Sequence, residues 1–188
     1  MDTLHNAYIV TGAPASGKSR YGRKLAAEKH ATLLDIDTCT EILVRQGLSL
    51  AGQDPSDRDS PLFKSTYREP IYDTLFAIAI DNLSHTDVVI VGPFTKEMTD
   101  LEWPTQLSAR LEANVLIHFV YCDSATRRER MTARSNPRDA SKLADWEAHD
   151  RYYQQQLLQS TNRSSNSIGT NCNRPVFPHV FIDNSAST

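Results

Sequence analysis

The stretch from Gly12 to Ser19, GAPASGKS, constrains this chain more than any other feature. It meets every fixed position of the pattern G-x-x-x-x-G-K-[ST]. Before it, AYIVT (Ala7 to Thr11) is a short apolar, β-branched run that reads as a buried strand. After it, SRYGRKLAAEKH (Ser19 to His30) reads as a helix with Leu25 and Ala26 facing inward. Strand, Gly-rich turn and helix therefore follow in the order that separates a working phosphate-binding loop from a chance match.

Each fixed residue has a chemical reason. Gly12 and Gly17 allow backbone conformations that turn successive N–H groups into one concavity. The residues Gly12, Ala13, Pro14, Ala15, Ser16, Gly17, Lys18 and Ser19 would cradle a triphosphate there, beside the partial positive charge of a helix N-terminus. Lys18 would reach the β- and γ-phosphates, and the Ser19 hydroxyl would ligate Mg²⁺.

At 188 residues the chain reads as a single α/β domain over 1–188, long enough for a substantial core. A net charge of −3 and a pI near 6.1 argue against a nucleic-acid coat or a membrane-surface binder. Cys39, Cys122 and Cys172 show no C-x-x-C spacing, so reduced thiols are expected. MDTLHN has no basic and apolar leader pattern, and no apolar run reaches a membrane span. The expectation is a soluble, cytoplasmic protein.

Further strands are expected at ATLLDID (31–37), DVVIVG (87–92), VLIHFVY (115–121) and HVFID (179–183). Helices are expected at 40–47 with Gly47 as C-cap, at 62–83 with Pro70 kinking it or beginning a new one, from Asp123, and over about 143–159. Residues 48–61 are turn-rich and read as an exposed loop, while 160–175 is rich in Ser, Asn and Thr and reads as a mobile polar loop. Strands alternating with helices predict a parallel sheet with helices on both faces.

The candidate chemistry beyond the loop lies in two places. Asp35 and Asp37 are two apart at the carboxyl edge of the second strand, where an extended backbone would point both the same way. One would hold metal-bound water, Asp35 being the metal candidate, and the other would accept the proton of an attacking hydroxyl. Alternatively, either caps the following helix. The second place is Arg127 to Lys142, where six basic residues face two acids in an otherwise acidic chain. Arg130 and Arg134 are four apart and share a helix face suited to stabilising a transferring phosphoryl group, unless the run is simply a solvated basic face. Lys64, Tyr67 and Arg68 could recognise a polar or anionic substrate. The six histidines and Trp103 and Trp146 read as structural or surface residues.

The loop, LLDIDTCTEIL, VVIVGPF, YCDSATRRERMTAR and HVFIDNS together resemble the small P-loop kinases of the AAA-domain-labelled group, over roughly residues 7 to 185. Relatives in that group include polynucleotide, zeta-toxin-like, gluconate and shikimate kinases. The resemblance implies a three-layer P-loop kinase fold, with a five-stranded parallel sheet and a short Arg-rich lid at about 127–142. It implies Asp37 as the residue that deprotonates the acceptor hydroxyl, Arg130 and Arg134 as lid residues clamping ATP, and Asp183 and Asn184 near adenine. The expected cofactors are ATP and Mg²⁺, with catalysis by Lys18, Asp37, Arg130 and Arg134 on a small-molecule hydroxyl. An ATP-binding regulatory module or ATPase without transfer is one alternative. A polynucleotide 5′-hydroxyl kinase is another, although no second basic patch for a nucleic acid is present.

Overall fold

A computed structural model describes residues 4–161 and 180–185. In chain order it gives β1 (Asn6–Thr11), α1 (Lys18–Lys29), β2 (Thr32–Asp35), α2 (Ile36–Leu50), α3 (Pro61–Thr66), α4 (Arg68–Leu83) and β3 (Val88–Val91). There follow α5 (Trp103–Leu111), β4 (Asn114–Tyr121), α6 (Ser124–Arg134), α7 (Ala140–Ala144), α8 (Trp146–Thr161) and β5 (Val180–Asp183). Short 3₁₀ turns lie at Glu97–Thr99 and Pro137–Asp139.

The five strands form one sheet in the order β2-β3-β1-β4-β5, with every pairing parallel. β1 is central, and Ile9 is in register with Ile90 on one side and Ile117 on the other. Alternation along the strands divides the core between the two faces. Ile9, Ile90 and Ile117 meet Leu75 and Phe76 of α4 and Leu107 and Leu111 of α5. Tyr8, Val10, Val89 and Val91 meet Leu25 and Ala26 of α1. Helices thus cover both faces, as alternating strands and helices require. The two inward residues expected in α1 are the ones that pack.

Gly22 lets α1 lie flush on the sheet, because a Cβ there would come within 2.4 Å of Val91 Cγ2. Beyond β3 the chain turns sharply at Pro93 and Phe94. Phe94 has a φ of 39° and is fully buried. Its ring centroid lies 5.0 Å from that of Tyr72 and 5.4 Å from that of Trp103, so aromatic packing holds a backbone shape that side chains otherwise avoid.

Several elements differ from the sequence expectation. β2 stops at Asp35, and α2 starts at once and runs through Gly47, which is therefore no C-cap. Asp35 itself is the N-cap, so local capping wins over continued extension. The expected 62–83 helix is two helices, with Ser60 capping α3 and Pro70 in the first turn of α4. The buried face of α4 is Tyr72, Leu75, Phe76, Ala79 and Leu83. Helix α5 is an addition to the expected elements, a short nine-residue helix with Pro104 in its first turn that buries Trp103, Leu107 and Leu111 on one face. Leu143 belongs to α7, and α8 begins at Trp146. Of the polar stretch 160–175, Ser160 and Thr161 end α8 and the rest lies outside the described residues.

Candidate functional site

The phosphate loop joins β1 to α1 at the sheet edge where all five strands present their carboxyl ends. Gly17 is the N-cap of α1 with a φ of 91°, and a Cβ on it would meet Asn184 Nδ2 at 2.2 Å. The positive φ calls for glycine, and a side chain there would also displace Asn184. Asn184 Nδ2 donates to the Ser16 carbonyl at 2.7 Å, and Ser16 N–H donates to the Ala13 carbonyl at 3.1 Å. The loop is braced from within and from the end of β5.

Lys18 Nζ donates to the Ala13 carbonyl at 3.2 Å. Burial lowers its pKa from 10.5 to about 8, opposed by the charges of Asp37 and Asp35 and assisted by those of Arg134 and Arg138. The loop lysine, the two acids after β2 and two lid arginines share one electrostatic neighbourhood.

Asp35 and Asp37 do not lie side by side on an extended strand, contrary to expectation. Asp35 is 4% exposed, and its Oδ1 accepts from the Asp37 N–H at 3.0 Å. Its Oδ2 is buried and, among the described residues, has no hydrogen-bond partner. Asp37 sits in the first turn of α2 with its side chain 58% exposed. Capping and separation by one helical residue give the two carboxylates different environments, yet both line the same cavity.

That cavity has a volume of about 580 Å³. It runs from Lys18 and Ser19 past Asp35 and Asp37 to Lys64 and Arg68, with Arg130, Arg134 and Arg138 along the lid side. Arg130 Nη1 donates to Cys122 Sγ at 3.3 Å and Nη2 to the Asn184 carbonyl at 2.9 Å, which places its guanidinium beside the loop. Arg134 makes a two-pronged contact with the buried Asp139, Nε to Oδ2 at 2.6 Å and Nη2 to Oδ1 at 2.8 Å. Asp183 and Asn184 do not line the cavity: Asp183 Oδ1 accepts from Ser185 N–H, and Asn184 braces the loop.

The basic run of 127–142 is not one functional surface. Arg127 is 1% exposed, pairs with Asp150 and lies over the rings of Trp146 and Tyr153, so it fastens α6 to α8. Arg128 points away from the cavity lining as an exposed residue, whereas Arg138 and Lys142 join it. Arg68 Nη2 contacts both Glu97 oxygens at 3.1 Å, and Lys64 has no ion-pair partner among the described residues. Tyr67 stacks on Phe63 and lies against Gly47, outside the lining.

Sequence reasoning missed Glu41, Arg58, Asp59 and His149. Glu41 follows Asp37 by one helical turn, a signal hidden by starting α2 too late. Arg58 and Asp59 come from the stretch read as an exposed loop, yet Arg58 Nη2 donates to Glu41 Oε2 at 2.8 Å. His149 presents a buried Nε2 with no partner among the described residues, and burial lowers its pKa.

The fold and the loop together define a P-loop kinase-like nucleotide-binding protein. The family described as AAA domain matches residues 8–157, and the chain belongs to it. No curated protein matches the sequence. Among solved structures, a Chloroflexus aurantiacus protein provisionally described as a kinase superposes with a TM-score of 0.57 at 17% identity. That match covers 98% of this chain and 90% of the other. TT1252 from Thermus thermophilus gives 0.52 at 17% identity, covering 99% and 91%. A sugar kinase from Janibacter sp. HTCC2649 gives 0.52 at 13% identity, covering 97% and 86%. At such identities the likeness speaks for the fold. Among the described residues, no helix is long and apolar enough to cross a membrane.

Proposed function

We propose that the protein is an ATP- and Mg²⁺-dependent phosphotransferase that moves the γ-phosphoryl group of ATP to a hydroxyl of a small molecule. One observation carries the reading: a single cavity joins the phosphate loop to Asp37 and continues beyond it, with room for an acceptor beside the triphosphate. The loop N–H groups and Lys18 would hold the β- and γ-phosphates. Arg130 and Arg134 would face the charge that develops on the transferring group, Arg134 after release from Asp139. Asp37 would take the hydroxyl proton as the acceptor oxygen bonds to phosphorus and ADP departs.

The residues also suit the metal. Ser19 and the buried Asp35 Oδ2, which has no hydrogen-bond partner among the described residues, are hard oxygen donors, and Mg²⁺ characteristically takes one or two protein oxygens together with phosphates and water. When bound, it would neutralise phosphate charge. Lys64, Arg68 and Thr95 line the far end of the cavity and would contact the body of the acceptor.

Transfer of labelled γ-phosphate to a panel of sugars, sugar acids, nucleosides, antibiotics and oligonucleotides tests the reading. A phosphorylated small molecule is the expected product. Labelled oligonucleotide alone would make this a polynucleotide kinase, and Mg·ATP binding with no labelled product would favour a regulatory module.

A further inference from the structure

Two lid side chains reach the acceptor side, Lys142 at Asp59 and Arg138 at Asp37. Arg138 Nη1 donates to Asp37 Oδ1 at 3.1 Å and to Glu41 Oε2 at 3.0 Å, joining residues about a hundred positions apart in the chain. Glu41 is held in turn by Arg58. The Arg138 side chain is only 23% exposed, while that of its Asp37 partner is 58% exposed. Among the described residues the Asp37 carboxylate has no other hydrogen bond, so this contact orients it.

The lid backbone is built to deliver that contact. Asn136 Oδ1 accepts from the Arg138 N–H at 3.0 Å, and the Asn136 carbonyl accepts from the Asp139 N–H at 2.9 Å. Pro137 fixes φ between them. Lys142 Nζ donates to the Arg138 carbonyl at 3.0 Å and to Asp59 Oδ2 at 2.7 Å. The neighbouring Asp139 is the residue that Arg134 grips. One rigid turn therefore carries, on adjacent residues, the anchor of the phosphate-side arginine and the arginine that touches the acceptor-side carboxylate.

We propose that Arg138 is a positioning residue for Asp37, fixing the carboxylate within the cavity and tying its placement to the lid. The proposal rests on the phosphotransferase reading above, in which Asp37 is the base. Arg138 occupies one Asp37 oxygen and, among the described residues, the other has no hydrogen-bond partner, which leaves an acceptor for the hydroxyl proton.

The test uses the full chain and measures Mg·ATP turnover with water as the acceptor, alongside Mg·ATP affinity by calorimetry. Arg138→Gln is expected to lower kcat about tenfold, the scale of one charge-assisted hydrogen bond, with affinity unchanged within about twofold. Arg138→Lys should recover part of the loss, because a compact ammonium keeps the charge without the planar fork. Asn136→Ala, which loosens the turn, should give a smaller fall of the same kind. In an Asp37→Asn background, Arg138→Gln should cost nothing more. Unchanged kcat in Arg138→Gln, a full additional loss in the double variant, or a loss in affinity alone would overturn the positioning role while leaving the base assignment intact. A parent protein no faster than Asp37→Asn would instead remove Asp37 as base, and the Arg138 role with it. If Arg138→Gln unfolds, Arg138→Lys and Asn136→Ala decide the question by the same split between kcat and affinity.

Discussion

The two ends of the cavity are built in opposite ways. The nucleotide end is contiguous: eight successive residues from Gly12 to Ser19 supply the loop, and Gly17 is fixed by its own φ and by Asn184. The end proposed for the acceptor is assembled from distant parts: Asp37 and Glu41 from α2, Arg58 and Asp59 from the loop before α3, Arg68 from α4, Arg138 and Lys142 from the segment 137–142. Backbone geometry holds the first, and ion pairs hold the second. A site that must bind one invariant ligand group can be encoded locally. A site shaped to a particular acceptor draws on side chains that only the fold brings together.

If that contrast is right, Lys18→Ala should have the largest effect. It is expected to reduce Mg·ATP turnover by roughly a thousandfold, as loss of a phosphate-clamping cation does. Steady-state kinetics measure it, and a loss below about tenfold would place the binding charge elsewhere.

Arg127→Met sharpens the division within the basic run. Removing one member of a buried pair leaves Asp150 uncompensated, so urea unfolding should show a loss of about 3 kcal/mol with Mg·ATP affinity intact. Weaker ATP binding without loss of stability would return Arg127 to the phosphate side.

Asp37→Asn should lower turnover by about a hundredfold and spare Mg·ATP affinity. Equal loss of affinity and turnover would merge the two ends into one.

A smaller effect follows from Lys18 itself. Burial lowers its pKa to about 8 in the fold from 10.5 ordinarily, so the unfolded chain binds more protons between those values. From this group alone, fold stability rises with pH across that window. Phosphate binding needs the charge back, so Mg·ATP affinity should hold below pH 8 and fall above it, by at most about tenfold per pH unit. Calorimetry at pH 9 in buffers of different ionisation heat should detect proton uptake in the parent and none in Lys18→Met.

The smallest change is expected from Asp59→Asn. Its pair with Lys142 has an exposed acidic partner, and such pairs contribute about 1 kcal/mol or less, diminishing with salt. A larger, salt-independent loss would show the acceptor rim to be more rigid than its exposure implies.

Periodicity located the five strands because each is a short apolar run flanked by polar turns. It placed the α1 core face because Leu25 and Ala26 are flanked mainly by charged residues, Arg23 and Lys24 before them and Glu28 and Lys29 after. It failed at Asp35, where a capping side chain ended a strand one residue before the next helix, and so hid the Asp37–Glu41 spacing. It failed again at Arg58, which carries no local signature and is recruited by Glu41 across the fold. Arg127 and Arg130 look alike in sequence, and helical rotation sends one under Trp146 and the other to the loop.

By itself, then, the sequence determined the phosphate loop, the parallel α/β plan and the presence of basic residues in the lid, because these depend on backbone conformation, strand and helix periods and composition within a few residues of one another. Only the tertiary structure decided which of those basic residues face the cavity, that Arg138 meets Asp37 and Glu41, and that Asp35 Oδ2 stays buried without a partner among the described residues. Those outcomes turn on long side chains finding opposite charges from other elements, and Coulomb attraction across folded space leaves no periodic mark along the chain.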